Sequence, residues 1–323
     1  TCGTDGLCDG GMPDAYLAEL NATGTALLYG TYLGGGDEDL AYGVAVEGGR
    51  AYVTGETSSE DFPTTPNAYD TTCGTDGRCD PVSGVPLLDA FVASVDPAGT
   101  GQGDLQYGTY LGGRFDDAAQ GISVEAGHAY VAGRSDSFDF PASGYQGAGD
   151  AFAVRLDPAG NGLADLVYGA FVGGSAYDAA ESVAVANAVV YLTGETRSPD
   201  FPVTADAYNG GFNDAFVVRL DGTGVRDYSS CIGGSLRDLG RGIVQNTTGG
   251  VVLTGYTESS DFPTTPDGYD LSHNGGYDVF ILRMNLSEPD PLLYSTILGA
   301  DQAEEGHNVA VDGWGHAYVT GYT

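Results

Sequence analysis

The chain has 323 residues and carries 45 Asp and Glu against 11 cationic side chains, all of them Arg, for a formal charge of −34 at pH 7. A surface this acidic repels phosphate backbones and anionic headgroups, which excludes nucleic acid and anionic membrane as partners, and no apolar run approaches the ~20 residues of a bilayer span. With 53 glycines and 14 prolines interrupting a chain that is 41% hydrophobic and 11% aromatic, the composition indicates an all-β protein rich in turns.

The N-terminal stretch, residues 1–13, is an insertion with Cys2 and Cys8 in TCGTDGLCDG, and a near copy, TCGTDGRCDP with Cys73 and Cys79, lies in a second insertion at 71–88. Two C-x5-C loops in a glycine-rich, lysine-free chain read as short local disulfides, Cys2–Cys8 and Cys73–Cys79, formed in an oxidising, extracellular or cell-surface location. Zinc held by the four thiolates is the competing reading, although the spacing is wider than zinc loops use and no histidine stands nearby.

From Asp14 onward the chain repeats, in segments of approximately 14–70, 89–149, 150–213, 214–277 and 278–323, read together as one domain spanning 1–323. A strand opens at Asp14-Ala15-Tyr16, Asp89-Ala90-Phe91, Asp150-Ala151-Phe152, Asp214-Ala215-Phe216 and Asp278-Val279-Phe280. A Tyr-rich strand ending in a glycine pair follows, as in YGTYLGG at 29–35, and an AYVTG-like strand ends at Gly55, Gly133, Gly194, Gly255 and Gly321. Each repeat thus holds four short apolar runs, for example Val183–Val185, Val189–Thr193, Ala215–Leu220 and Tyr228–Ile232. Four strands per repeat arranged around a centre make a β-propeller blade. Five repeats are visible, and pairing of the N-terminal with the C-terminal strands would complete the fifth blade and close the ring.

The string GVAVEGGRAYVTGETSSEDFPTTPNAYD at 43–70, with DAFVASVDPAG at 89–99 and YGTYLGG at 107–113, resembles the SBBP-type β-propeller repeat of bacterial secreted and cell-surface proteins. The resemblance covers essentially the whole chain and implies a propeller, without implying a catalytic residue or a ligand.

Three acidic positions recur. Asp39, Asp117, Asp178, Asp238 and Glu304 follow the glycine pair, and in a propeller they would ring one mouth of the central channel. Either each caps its turn, or together they hold Ca²⁺ or another hard cation. Asp14, Asp89, Asp150, Asp214 and Asp278, and the DFP aspartates Asp61, Asp139, Asp200 and Asp261, read as structural, with Phe62, Phe140, Phe201 and Phe262 wedged between blades. His128, His273, His307 and His316 read as surface residues, Cys231 as a buried inert thiol, and Trp314 as exposed in a hairpin turn.

With an unbroken repeat and no G-x-S-x-G or S-x-x-K frame, the expected function is a non-enzymatic surface scaffold, its partners a protein, a glycan or copies of itself. The alternatives are a calcium-dependent glycan- or protein-recognition module, and a glycan-active hydrolase or lyase. The last requires two channel carboxylates in unequal environments, where the repeat supplies five similar ones.

Overall fold

Three of the five repeats fold their first two strands around a two-residue turn with both residues left-handed, Gly48-Gly49 (φ 60° and 84°), Ala126-Gly127 (φ 53° and 80°) and Asn187-Ala188 (φ 54° and 60°). This geometry matches the twist of the flanking strands and accounts for the glycine and asparagine there. The computed structural model describes residues 12–74, 79, 87–97, 103–204, 211 and 213–323. Cys2 and Cys8, and the disulfide expected between them, lie outside the described residues.

The fold is all-β. Four antiparallel sheets run in simple sequence order: β3–β6 (Asp39–Glu47, Arg50–Thr57, Asp89–Val95, Leu105–Leu111), β7–β10 (Asp117–Glu125, His128–Ser135, Asp150–Leu156, Leu166–Val172), β11–β14 (Asp178–Ala186, Val189–Thr196, Asp214–Leu220, Arg226–Ile232) and β15–β18 (Asp238–Gln245, Val251–Thr257, Asp278–Met284, Leu292–Leu298). Two hairpins flank them, β1–β2 (Ala15–Leu20, Leu27–Leu33) and β19–β20 (Glu305–Val311, Ala317–Tyr322), each a separate two-stranded sheet. The expected ladder between the N- and C-terminal strands is therefore not formed.

The chain divides into two compact units, residues 1–143 with 153–169, and 144–152 with 170–323. In the first, β7 packs across β3, β4 and β5; in the second, β15 packs across β11–β13 and β19 across β15–β17. Within each unit the first strand of the later element thus covers the sheet before it. The second and third strands are the buried ones, with Phe91, Phe216 and Phe280 of third strands fully enclosed. The DFP phenylalanines stack on them, Phe62 on Phe91 at 4.5 Å, Phe201 on Phe216 at 5.2 Å and Phe262 on Phe280 at 4.9 Å. Burying one such ring contributes about 1.5–3 kcal/mol. The Cys73–Cys79 disulfide packs in the same cluster as Phe91 and Tyr110.

The glycine that ends each AYVTG strand has a steric cause. An added Cβ would overlap the backbone carbonyl of Leu40 at Gly55, Ala118 at Gly133, Ala179 at Gly194, Leu239 at Gly255 and Glu305 at Gly321. The Gly194→Val variant should lower the unfolding free energy by about 1–3 kcal/mol through this overlap, read from the urea midpoint at unchanged slope.

Candidate functional site

The close approach at these glycines accompanies a β-bulge in the facing strand. Pairing skips one residue between Ala41 and Gly43, Ala119 and Gly121, Ala180 and Ser182, Gly240 and Gly242, and Gly306 and Asn308. The skipped residues are Tyr42, Gln120, Glu181, Arg241 and His307. A bulge leaves its extra residue out of the ladder and re-aims its side chain. Chemistry differs at this position in every repeat, while the residue before it stays Ala or Gly.

In the second unit the bulges bring polar side chains together across β11, β15 and β19. Arg241 Nη1 lies 3.0 Å from Glu181 Oε2, and its Nη2 lies 3.8 Å from Glu305 Oε2. His307 Nε2 is 3.6 Å from the same Glu305 oxygen, and the Tyr322 hydroxyl donates to Glu305 Oε1 at 2.7 Å. Beside them Glu195, only 4% exposed, accepts from Arg197 and Arg237 at 3.2 Å each and from Asn213 at 3.0 Å. Arg197 lies over the Tyr177 ring at 4.6 Å and Arg237 over Tyr256 at 5.4 Å.

The three glutamates stand in unequal surroundings. Burial pushes the Glu181 carboxyl up from its usual range and the charge of Glu195 adds to the push, against the pull of Arg241. Glu195 is clamped by two guanidiniums, whereas Glu305 keeps a tyrosine hydroxyl and a partly exposed imidazole for company. A carboxyl held toward its protonated form next to an ion-paired carboxylate is the arrangement that acid–base chemistry needs. In the first unit the corresponding bulge pairs Tyr42 with Glu56 at 2.6 Å, and burial raises Glu56.

The repeated acids hold turns, those after the glycine pair buried and the DFP aspartates exposed. Asp39, Asp117, Asp178 and Asp238 each accept the second-glycine N–H, from Gly35 (2.8 Å), Gly113 (2.7 Å), Gly174 (2.8 Å) and Gly234 (2.7 Å). Each also accepts a serine hydroxyl, from Ser59, Ser137, Ser198 and Ser259. Glu304 accepts the Ala300 N–H at 3.0 Å. The DFP aspartates Asp61, Asp139, Asp200 and Asp261 accept the N–H groups of Gly36, Arg114, Ser175 and Ser235. Among the described residues no three His, Cys, Asp or Glu side chains gather as a metal centre. Cys231 is buried and its thiol is pushed up to about 12, as burial of a small thiol requires. Trp314 is 86% exposed.

Sequence reasoning missed the bulge set, and read His307 as a surface residue ahead of its strand. The signal was present, because the position three after each turn acid holds Tyr42, Gln120, Glu181, Arg241 and His307, a different residue in each copy.

Neither a family profile nor a curated protein matches the sequence. Among solved structures the chain is similar to a sucrose-6-phosphate hydrolase from Lactobacillus gasseri, at 9% identity and a TM-score of 0.35, over 80% of this chain and 52% of that one. It thus spans about half of that enzyme's length. It is also similar to a GH43 β-xylosidase/α-arabinofuranosidase from a compost microbial metagenome, solved with xylotriose, at 13% identity and a TM-score of 0.35, over 85% and 82% of the two chains. Both neighbours are hydrolases, a likeness that by itself gives this chain no activity. The expectation of a non-enzymatic scaffold is corrected on its own ground, an unbroken repeat: the repeat breaks at the bulges, where Tyr42, Gln120, Glu181, Arg241 and His307 stand at one position.

Burial raises Asp214 to about 7 and Asp238 to about 6, each above the ordinary carboxyl value. The folded state therefore favours their protonated forms, so the stability they contribute is present in acid and is lost as pH rises through about 6 to 7. In metal-free buffer at fixed ionic strength, the unfolding midpoint should fall between pH 5 and pH 8, and fall less in Asp214→Asn, which separates this pair from the general repulsion of an acidic chain.

Proposed function

We propose that the chain is an extracellular β-propeller of the SBBP-repeat type that hydrolyses glycans, with Glu181 as general acid and Glu305 as the opposing carboxylate. The observation that carries this reading is the unequal environment of the bulge-centred glutamates, Glu181 raised by burial while Glu305 is held by Tyr322 and faces Arg241 and His307. Glu181 gives its proton to the leaving glycosidic oxygen as the anomeric C–O bond breaks. Glu305 takes a proton from the water that adds to the anomeric carbon. Glu195, with its oxygens engaged by Arg197, Arg237 and Asn213, positions the arginines rather than reacting. Tyr277, whose ring stacks near Tyr256 at 4.9 Å, and the half-exposed Tyr322 offer faces on which sugar rings can rest.

A panel of aryl glycosides and oligosaccharides tests the assignment. The intact protein should hydrolyse at least one, with a rate that falls as pH rises through the raised Glu181 value, and Glu181→Gln should lower kcat about 10²–10⁴-fold. Failure to hydrolyse any member, or an unaffected Glu181→Gln, would overturn it.

Ring closure belongs to the same proposal. Val44 on β3 is 61% exposed, while its counterparts Ile122, Val183, Ile243 and Val309 are buried. A cavity of about 930 Å³ lies between β1 and β3, lined by Tyr16, Leu20, Val44 and Val46. A hairpin such as β19–β20 fills a space of this kind in the complete sheets. Their register, with Gly55 opposite Phe91 and Val53 opposite Ala93, translates to Gly321 opposite Tyr16 and Val319 opposite Ala18. An Ala18→Cys, Val319→Cys double variant should form an intramolecular disulfide on mild oxidation, detected by mass spectrometry; a purely intermolecular bond would contradict closure within one chain.

A further inference from the structure

The strand-opening aspartates do more than begin a strand. In the second unit, Asp150 Oδ2 accepts the Gln146 N–H at 2.6 Å and Asp278 Oδ2 accepts the Asn274 N–H at 2.8 Å. The other oxygen, Oδ1 of Asp150, Asp214 and Asp278, is buried and has no hydrogen-bond partner among the described residues, the three side chains belonging to residues that are 0%, 5% and 0% exposed. A buried carboxylate oxygen left unpaired costs free energy on the scale of a lost charged hydrogen bond.

These orphan oxygens are aimed at a second carboxylate. An ideal Cβ on Gly173 would stand 2.5 Å from Asp150 Oδ1 and 2.8 Å from Asp178 Oδ2. At Gly233 the same place is shared by Asp214 Oδ1 and Asp238 Oδ2, and at Gly299 by Asp278 Oδ1 and Glu304 Oε2. The first glycine of each pair is thus required because two carboxylates crowd over it. Backbone oxygens add to the set: the Cβ position of Gly275, three residues before Asp278, is 2.5 Å from Ala300 O and 2.8 Å from Gln302 O. Oδ2 of Asp178 and of Asp238 also accepts a glycine N–H and a serine hydroxyl, and Glu304 Oε2 the Ala300 N–H, but no donor reaches the orphan Oδ1 atoms among the described residues, and the chain has no lysine to neutralise the pairs.

We propose that the carboxylate pairs Asp150–Asp178, Asp214–Asp238 and Asp278–Glu304 each hold a hard divalent cation of the calcium type, completed by backbone carbonyls and water. Hard oxygen donors without nitrogen or sulfur suit Ca²⁺, which accepts irregular oxygen shells that zinc does not. The sites lie at the turns that join successive sheets, next in the chain to members of the glutamate cluster, since Asp214 follows Asn213, Asp238 follows Arg237 and Glu304 precedes Glu305, and their role is to tie one sheet to the next. They differ from a shared ring of turn acids, because each cation is bound by two successive repeat positions and not by five equivalent ones.

Equilibrium dialysis of the chelator-stripped protein against calcium, with magnesium as competitor, tests this. Calcium should bind with several equivalents per chain and raise the unfolding midpoint at constant ionic strength. Asp214→Asn should remove one equivalent, and Asp278→Asn should independently remove another. Substituting the partner, Asp238→Asn, should remove the same equivalent as Asp214→Asn and no additional one in the double variant. Absence of calcium binding, or unchanged stoichiometry in folded variants, would overturn the proposal, and would mean that each pair shares a proton instead.

Discussion

The close approach of a backbone carbonyl to a glycine, repeated at Gly55, Gly133, Gly194, Gly255 and Gly321, is the constraint on which the rest depends. Without a Cβ in the way, the facing strand takes up one extra residue as a bulge, and that residue leaves the ladder. Everything around it is held constant by packing: the small residues before the bulge, the buried strand-three phenylalanine, and the DFP ring stacked upon it. The bulged side chain is free to change, as is the residue after the strand glycine, which is Glu56, Arg134, Glu195, Tyr256 or Tyr322. A repeat built for stability therefore carries positions at which chemistry can vary without cost to the sheet, and the second unit places Glu181, Arg241 and His307 at its bulges.

The electrostatics follow the same division. The carboxylates after the glycine pair, such as Asp178 and Asp238, are buried, accept glycine N–H groups and serine hydroxyls through one oxygen, and are raised by desolvation. The variable carboxylates instead meet arginine. Arg197, Arg237 and Arg241 converge on Glu181, Glu195 and Glu305, in a chain with only 11 cations to distribute over 45 acids. Three guanidiniums set against three carboxylates leave this cluster near neutral within a strongly acidic molecule.

Much of the fold was legible because the repeat exposes it. The runs Ala215–Leu220 and Tyr228–Ile232 fall inside β13 and β14, the DFP phenylalanines are wedged as expected, and the Cys73–Cys79 bond is formed. The catalytic candidates were hidden by the same regularity. Alternation of period two marks a strand only where the ladder is regular, so the run beginning at Val183 left Glu181 outside its strand, whereas β11 extends from Asp178 through the bulge. Searching for residues common to all copies selected the turn acids, which are structural, over the position that differs in each. The pairing of Asp214 with Asp238 was equally invisible, since 24 residues of sequence separate two groups that meet only after the sheets stack.

The most direct measurement is glycoside turnover by a variant in which the bulge residues Glu181, Arg241 and His307 are all replaced by glutamine, the residue at this position in β7. If the bulges carry the chemistry and the glycines carry the fold, the triple variant unfolds at the same midpoint as the parent protein and turns over no glycoside that the parent cleaves. Equal turnover by both proteins, or none by the parent, would contradict that division of labour.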